Sequence, residues 1–187
     1  MPVKKFAALA KKYKTPKAVQ NWLRSFQYNR KQTLYSAKMA IEKNAAHCLE
    51  GAFAAAAILE LNGYPPLIMS FESIDDLEHV IFIFKKNNKW GSIAKSRDPG
   101  LHGRSPKFKT LRALAWSYFD PYIDYTGRIT AYQIAHLDDL GVDWRNSSKS
   151  VWPADKYLVD LPHRPMISSN VRFNRAKARY NRVGGPH

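Results

Sequence analysis

The chain has 187 residues and one cysteine, 45% of its residues are hydrophobic, and its formal net charge is +15. This length fits a single domain, and the apolar content is that of a folded protein rather than a disordered one. No apolar run approaches the ~20 residues that span a bilayer. The N-terminus lacks the pattern of a secretory signal, and a lone thiol is typical of a reducing compartment. We therefore expect a cytoplasmic protein without a membrane span.

The positive charge is concentrated at the two ends of the chain. Residues 1–43 contain eleven Lys and Arg and one acidic residue, and residues 171–187 contain five basic residues and no acidic one. Residues 44–170 hold fourteen residues of each sign and are formally neutral. This division predicts a basic helical segment over 1–43, a folded domain over 44–170 and a basic, flexible tail over 171–187 that makes few core contacts.

Helical patterns occupy the N-terminal segment. Residues 4–14 carry apolar side chains on one side, and Thr15-Pro16 is typical of an N-cap followed by proline at the first helical position. The apolar residues of 19–26 recur at i, i+3, i+4 and i+7, which predicts an amphipathic helix. Residues 35–43 predict another short helix or a turn.

An alanine-rich helix precedes a set of strands. Residues 47–61 predict a strong helix that ends before Gly63. Asn87-Asn88 is a hairpin signal between two of the apolar runs that follow. The three predicted strands are 66–73, 78–86 and 89–95.

The order of these elements predicts the fold class. A loop over 97–106 and a helix over 110–119 follow the strands, and beyond Asp120 the pattern predicts no particular element. One helix followed by an antiparallel run of strands is typical of an α+β fold.

Three residues form a candidate catalytic triad. Cys48 lies at the first turn of the alanine-rich helix, where unpaired amides and the helix dipole favour a thiolate. His79 opens a strand after the acidic turn 75–78, and Asp98 follows the next strand. In such a triad the cysteine attacks, the histidine takes its proton and the aspartate orients the imidazole. His47 is adjacent to Cys48 and is expected to point elsewhere.

Each member of the triad also has a simpler interpretation. A lone cysteine on an alanine-rich helix is more often a small core residue. A histidine beside a strand is often a surface or satisfied core residue, and an Asp-Pro pair is usually a turn.

The arrangement resembles the core of the transglutaminase-like superfamily. That core runs from a Cys-bearing helix through a glycine and a strand to a His-bearing strand, a Gly-Trp-bearing strand and an Asp-Pro pair. Residues 44–100 follow this order, with the pair reversed to Trp90-Gly91. The runs HCLEGAFAAAAILELNGYPPLIMS, DDLEHV, WGSIAKS and TLRALAWSYF are similar to an uncharacterised bacterial branch of it, extending the resemblance to about Asp124. The resemblance implies a papain-like α+β core, with the cysteine helix packed on an antiparallel sheet that bears His79 and Asp98.

The resemblance also implies a set of site residues. Cys48, His79 and Asp98 correspond to the nucleophile, the base and the orienting residue, with Ser96 or another Asp as alternatives to Asp98. An upstream Gln or Trp contributes to the oxyanion hole in the family, which makes Gln32 and Trp22 candidates beside the backbone amide of the cysteine. Glu50 either contacts the substrate or favours the helix start.

These observations lead to three hypotheses of function. The first is a cysteine-dependent acyl-transfer enzyme that acts on a protein, peptide or small amide, or on a thioester, without a cofactor. The second is a catalytically silent transglutaminase-like scaffold. The third is a protein that binds nucleic acid or an acidic partner through its basic ends. The histidines have no metal-ligand spacing, so no metal is predicted. The candidate basic residues of the tail are Arg172, Arg175, Lys177, Arg179 and Arg182.

Overall fold

The computed structural model of the chain describes residues 2–74, 79–123 and 127–183. These ranges contain seven helices, seven strands and three short 3-10 turns. The helices are α1 (Pro2–Lys12), α2 (Pro16–Arg24), α3 (Ala37–Lys43), α4 (Cys48–Leu59), α5 (Leu111–Phe119), α6 (Pro153–Val159) and α7 (Asn170–Val183). The strands are β1 (Gln27–Tyr28), β2 (Ala45–Ala46), β3 (Leu67–Ser73), β4 (His79–Lys86), β5 (Lys89–Ile93), β6 (Ile129–His136) and β7 (Arg164–Pro165).

The main sheet has five strands in the order β5-β4-β3-β6-β7, and each neighbouring pair is antiparallel. β1 and β2 form a separate parallel pair of two residues each. The predicted α+β class with an antiparallel sheet is confirmed. The hairpin between β4 and β5 is also confirmed, because Asn87 and Asn88 both have positive φ, at 48° and 61°. Two consecutive left-handed residues match the right-handed twist of a two-residue hairpin.

Apolar side chains cover both faces of this sheet. Along β4, Val80 and Phe82 lie in a core shared with α4, whereas Ile81 and Ile83 lie in a second core with α5. This alternation follows from the period of two in a strand. Helix α4 is buried from Leu49 to its end, as its nearly all-apolar sequence requires.

The predicted N-terminal helices are present and pack on α4. Thr15 accepts a hydrogen bond from the backbone N–H of Ala18 at 3.2 Å and caps α2, as predicted. Phe6 of α1 and Leu23 of α2 are buried in the same core as α4. Helices α1 and α2 therefore contribute to the central core, although the charge pattern of residues 1–43 predicts a separate segment.

The C-terminal third contains the elements that the sequence patterns did not predict. Strand β6 pairs with β3 along its whole length and occupies an inner position of the sheet. The tail was expected to be flexible, but residues 170–183 form helix α7. Ala176 of this helix is buried and Phe173 packs against the second core, so the expectation of few core contacts is wrong for α7.

Helix α7 offers a matched pair of alanines that tests its packing. Ala176 is buried and Ala178 is exposed on the same helix. We expect Ala176→Gln to destabilise the fold by about 1–3 kcal/mol through overpacking and to lower Tm by several degrees. Ala178→Gln adds the same side chain facing solvent and is expected to leave Tm nearly unchanged. Thermal unfolding followed by circular dichroism measures both, and equal melting temperatures would show that α7 does not pack on the body.

Candidate functional site

Cys48 is the first residue of α4, and its half-buried side chain lines a cleft of about 260 Å³. The backbone of His47 is extended, with φ −87° and ψ −171°, so this residue forms the N-cap. The thiol therefore lies at the positive end of the helix dipole, where a thiolate is favoured. The other residues that line the cleft are Tyr28, Lys31, Gln32, Thr33, Leu34, His47, Leu49, Val80, Trp152 and Asp155.

The carboxylate of Glu50 fixes the start of α4 through hydrogen bonds to backbone N–H groups. Glu50 is fully buried, and its oxygens accept hydrogen bonds from the backbone N–H of His47 at 2.9 Å and of Tyr35 at 2.7 Å. The side chains of Asn29 and Thr33 donate to the same carboxylate at 2.9 and 3.2 Å. Glu50 thus joins the segment 29–35 to the first turn of α4. A substrate in the cleft cannot reach a side chain with no exposed surface, so of the two alternatives for Glu50 the structure supports the helix start and not contact with the substrate.

His79, the first residue of β4, is held in one orientation. Its Nε2 lies 3.0 Å from the carbonyl oxygen of Leu101, and because a carbonyl only accepts, Nε2 carries the hydrogen. The ring also stacks on Phe71, with centroids 6.2 Å apart and an interplanar angle of 10°. Nδ1 remains as the nitrogen that can take a proton from the thiol. The acidic turn 75–78, expected before His79, lies outside the described residues.

The thiol of Cys48 forms hydrogen bonds with two imidazoles, those of His47 and His79. Burial raises the pKa of Cys48, but the hydrogen bonds and positive charge of the two imidazoles outweigh it and lower the pKa to about 5. Burial lowers the pKa of His47. The opposite effects are larger and raise this pKa to about 9; they come from the hydrogen bond and charge of Cys48, the charge of Glu50 and the hydrogen bond with the Thr33 carbonyl. At neutral pH the site therefore holds a thiolate beside an imidazolium.

Asp98 does not orient His79. Its Oδ1 accepts a hydrogen bond from the backbone N–H of Gly100 at 2.7 Å and caps the 3-10 turn Pro99–Leu101. In the described chain no hydrogen bond joins Asp98 or Ser96 to His79; the hydroxyl of Ser96 accepts from the backbone N–H of Asp98 at 3.1 Å. The expected contact between Asp98 and the imidazole is wrong, because the turn that Asp98 caps presents the Leu101 carbonyl to His79 instead.

The two oxyanion candidates have different locations. Gln32 is exposed and lines the cleft beside Cys48. Trp22 packs between the rings of Tyr13 and Phe26, at centroid distances of 5.2 and 4.8 Å. Trp22 is half-buried against the first core and is not among the residues that line the cleft, so its prediction as an oxyanion donor is wrong.

Sequence reasoning missed several residues of the cleft. The prediction that His47 points away from Cys48 is wrong, and a histidine N-cap followed by a glutamate at the third helical position is the local signal that could identify it. Trp152, which is 50% exposed, and Asp155 reach the cleft from α6, more than a hundred residues after Cys48. No local sequence pattern predicts a contact between residues so far apart in the chain.

Basic residues of α7 form a second surface feature. Arg172, Arg175, Arg179 and Arg182 line one groove, at whose edge Asp120 accepts a hydrogen bond from Nε of Arg172 at 3.0 Å. Lys177 lies outside this set and extends over the ring of Phe173. The α7 groove is defined here by the four arginines.

Comparison with known proteins adds no identification, since no protein-family model and no curated protein matches the chain. Across residues 2–74, 79–123 and 127–183, the structure contains no group of three or more His, Cys, Asp or Glu that could hold a metal ion. Within the same ranges no helix has both the length and the apolar character of a bilayer-spanning segment.

The thiolate can be tested directly, because Cys48 is the single cysteine of the sequence. Iodoacetamide reacts with the thiolate, so we expect its rate to rise through about pH 5 and to be nearly constant from pH 6 to 8. A free thiol has a pKa of about 8.5 and would react slowly at pH 6. Intact-mass spectrometry across this pH range measures the rate, with a short cysteine peptide as control. A profile that follows the peptide would contradict the ion pair.

Proposed function

We propose that the protein is a cysteine-dependent acyl-transfer enzyme of the transglutaminase-like type. The observation that carries the proposal is a thiol at a helix N-terminus, hydrogen-bonded to two imidazoles and open to a cleft. A cysteine used only for packing would gain nothing from an imidazole partner and a cleft, whereas a nucleophile needs an adjacent base and access to its substrate.

The site chemistry supports attack on a carbonyl carbon. The thiolate of Cys48 forms a C–S bond, and the π electrons of the carbonyl move to its oxygen. When the oxyanion collapses, the bond to the leaving group breaks, and an imidazolium gives that group its proton. Water or an amine then attacks the thioester, an imidazole takes its proton, and the thiolate is released. Sequence reasoning assigns the base to His79, and the same chemistry is open to His47.

Two features support the transglutaminase-like type. Helix α4, which begins at Cys48, packs on an antiparallel sheet. Along the chain it is followed by β3 and then by β4, which begins at His79, in the order that the resemblance implies. Gln32 lines the same cleft as Cys48, which makes its side-chain amide the candidate second oxyanion donor with the backbone amide of Cys48. The third member differs from the family pattern, since the Leu101 carbonyl rather than a carboxylate receives the His79 N–H.

The α7 groove favours a second candidate function, nucleic-acid binding. Its four arginines are spaced by three, four and three residues, so they follow one side of the helix over about 15 Å. Helix α7 contains no acidic residue. Guanidinium groups bind phosphates bidentately, and a row of them matches the backbone of a nucleic acid. This function is compatible with acyl transfer elsewhere on the protein.

Acyl transfer is tested by trapping the thioester. Wild-type protein incubated with p-nitrophenyl acetate is expected to release a burst of nitrophenol and to gain one acetyl group at Cys48 by intact-mass spectrometry. The adduct should decay in water and faster with an added primary amine. Cys48→Ala is the control and should show neither burst nor adduct. A wild type that behaves like Cys48→Ala would leave the fold as a silent scaffold.

The α7 groove is tested by charge removal at two places. Arg175→Gln, Arg179→Gln and Arg182→Gln together should weaken the binding of a single-stranded oligonucleotide and reduce its salt slope by about 2, at roughly 0.7 per phosphate contact. The control removes three exposed charges from α1, at Lys5, Lys11 and Lys12. Fluorescence anisotropy at several salt concentrations measures both. Equal losses would indicate net charge alone, and binding of an acidic peptide but no oligonucleotide would assign the groove to a protein partner.

A further inference from the structure

The two imidazoles that contact the Cys48 thiol differ in their access to the cleft. His47 lines the cleft, and 21% of its side chain is exposed. His79 is 4% exposed and lies against the rings of Phe71 and Tyr118, with centroid distances of 6.2 and 5.8 Å. A leaving group expelled from an acyl intermediate in the cleft can meet the first imidazole and not the second.

The two imidazoles also differ in their partners. Nε2 of His79 meets the neutral carbonyl of Leu101. Nε2 of His47 lies 2.9 Å from the carbonyl of Thr33 and 3.4 Å from Oε1 of the buried Glu50 carboxylate. A carboxylate beside an imidazole stabilises its protonated form, which is the function of the aspartate in a catalytic triad. The carboxylate that sequence reasoning sought beside His79 is therefore found beside His47.

We infer that His47, supported by Glu50, is the acid–base residue of the site, and that His79 is a positioning residue that holds the thiol. The inference rests on the proposed acyl-transfer function and assigns its proton transfers. The proton of the Cys48 thiol resides on Nδ1 of His47 in the resting state. It passes to the leaving group when the tetrahedral intermediate collapses, and Nδ1 accepts a proton from the attacking water or amine in the second half of the reaction.

The orientation of His47 supports these transfers. Because Nε2 is committed to the Thr33 carbonyl and to Glu50, Nδ1 is the nitrogen left for the sulfur and for a group in the cleft. The segment that carries Thr33 is itself bound to Glu50. One buried carboxylate therefore adds to the stabilisation of the protonated imidazole by Cys48 and, through the segment of Thr33, helps to orient the ring.

Nitrogen NMR of protein labelled with 15N-histidine tests the assignment without a substrate. The sequence has six histidines, and because the pKa of His47 is raised to about 9, we expect an imidazolium signal from His47 at pH 7.5. This signal should disappear in His47→Gln and remain in His79→Gln. It should titrate at a lower pH in Glu50→Gln or in Cys48→Ala, since each removes a negative charge that stabilises it.

The variants separate a catalytic assignment from a folding effect. If His47→Gln fails to fold, His79→Gln still decides the question, because loss of the imidazolium signal in that variant would overturn the assignment. Absence of any imidazolium in the wild type at pH 7.5 would also overturn it. Iodoacetamide alkylation at pH 6 should fall at least about tenfold in His47→Gln and less than about threefold in His79→Gln, as the thiolate fraction decreases.

The result is distinguishable from failure of the proposed function. A wild type that forms the acetyl thioester but carries its imidazolium on His79 contradicts only the assignment of His47. A wild type that carries the imidazolium on His47 but forms no thioester contradicts the enzyme, and the acid–base role with it, while the ion pair stands.

Discussion

A carboxylate buried under the first turn of α4 is the interaction on which the candidate site depends. Glu50 has no exposed surface, and a buried charge without partners costs several kcal/mol. Its partners come from the segment 29–35 and from the N-cap of the helix. Any movement that breaks these hydrogen bonds would leave Glu50 unpaired and cost this free energy. The cleft wall, the helix start and the His47 ring are therefore kept in one arrangement.

The charges around the sulfur alternate in sign. A thiolate at Cys48 and a carboxylate at Glu50 lie two residues apart and would repel each other, but the imidazole of His47 contacts both. The helix dipole adds positive potential at the same place. Placing a cation between two anions stabilises all three, which explains why the pKa of the thiol is lowered while that of the imidazole is raised.

Local sequence signals predicted the local structure well. The cap at Thr15, the hairpin at Asn87-Asn88 and the helix start near Cys48 each depend on a few neighbouring residues, and each is present. The site was predicted only where its chemistry is local. The position of Asp98 after a strand predicts a triad member, yet its carboxylate accepts a hydrogen bond within its own turn, as short acidic side chains before Pro-Gly commonly do.

Long-range contacts account for the remaining differences. Strand β6 has a polar residue at every third position, at Thr130, Gln133 and His136, rather than the alternation typical of a strand, and only its pairing with β3 makes it an inner strand. The sequence of helix α7 is typical of a solvated basic tail. The residues that contact the second core, Ala176 and Phe173, stand among many charged residues and form no apolar pattern. A core contact made by one alanine leaves almost no pattern in a sequence, since the side chain is small and common in every environment.

The walls of the cleft come from widely separated parts of the chain. The nucleophile is residue 48, whereas Trp152 and Asp155 reach it from α6. Contacts of such sequence separation form late, because a long stretch of chain must be closed before they stabilise anything. During synthesis, a nascent chain can complete the helix that bears Cys48 while the cleft still lacks the wall that α6 provides. The thiol therefore leaves the ribosome before the α6 wall that restricts access to it. The site is complete only after most of the polypeptide has been made.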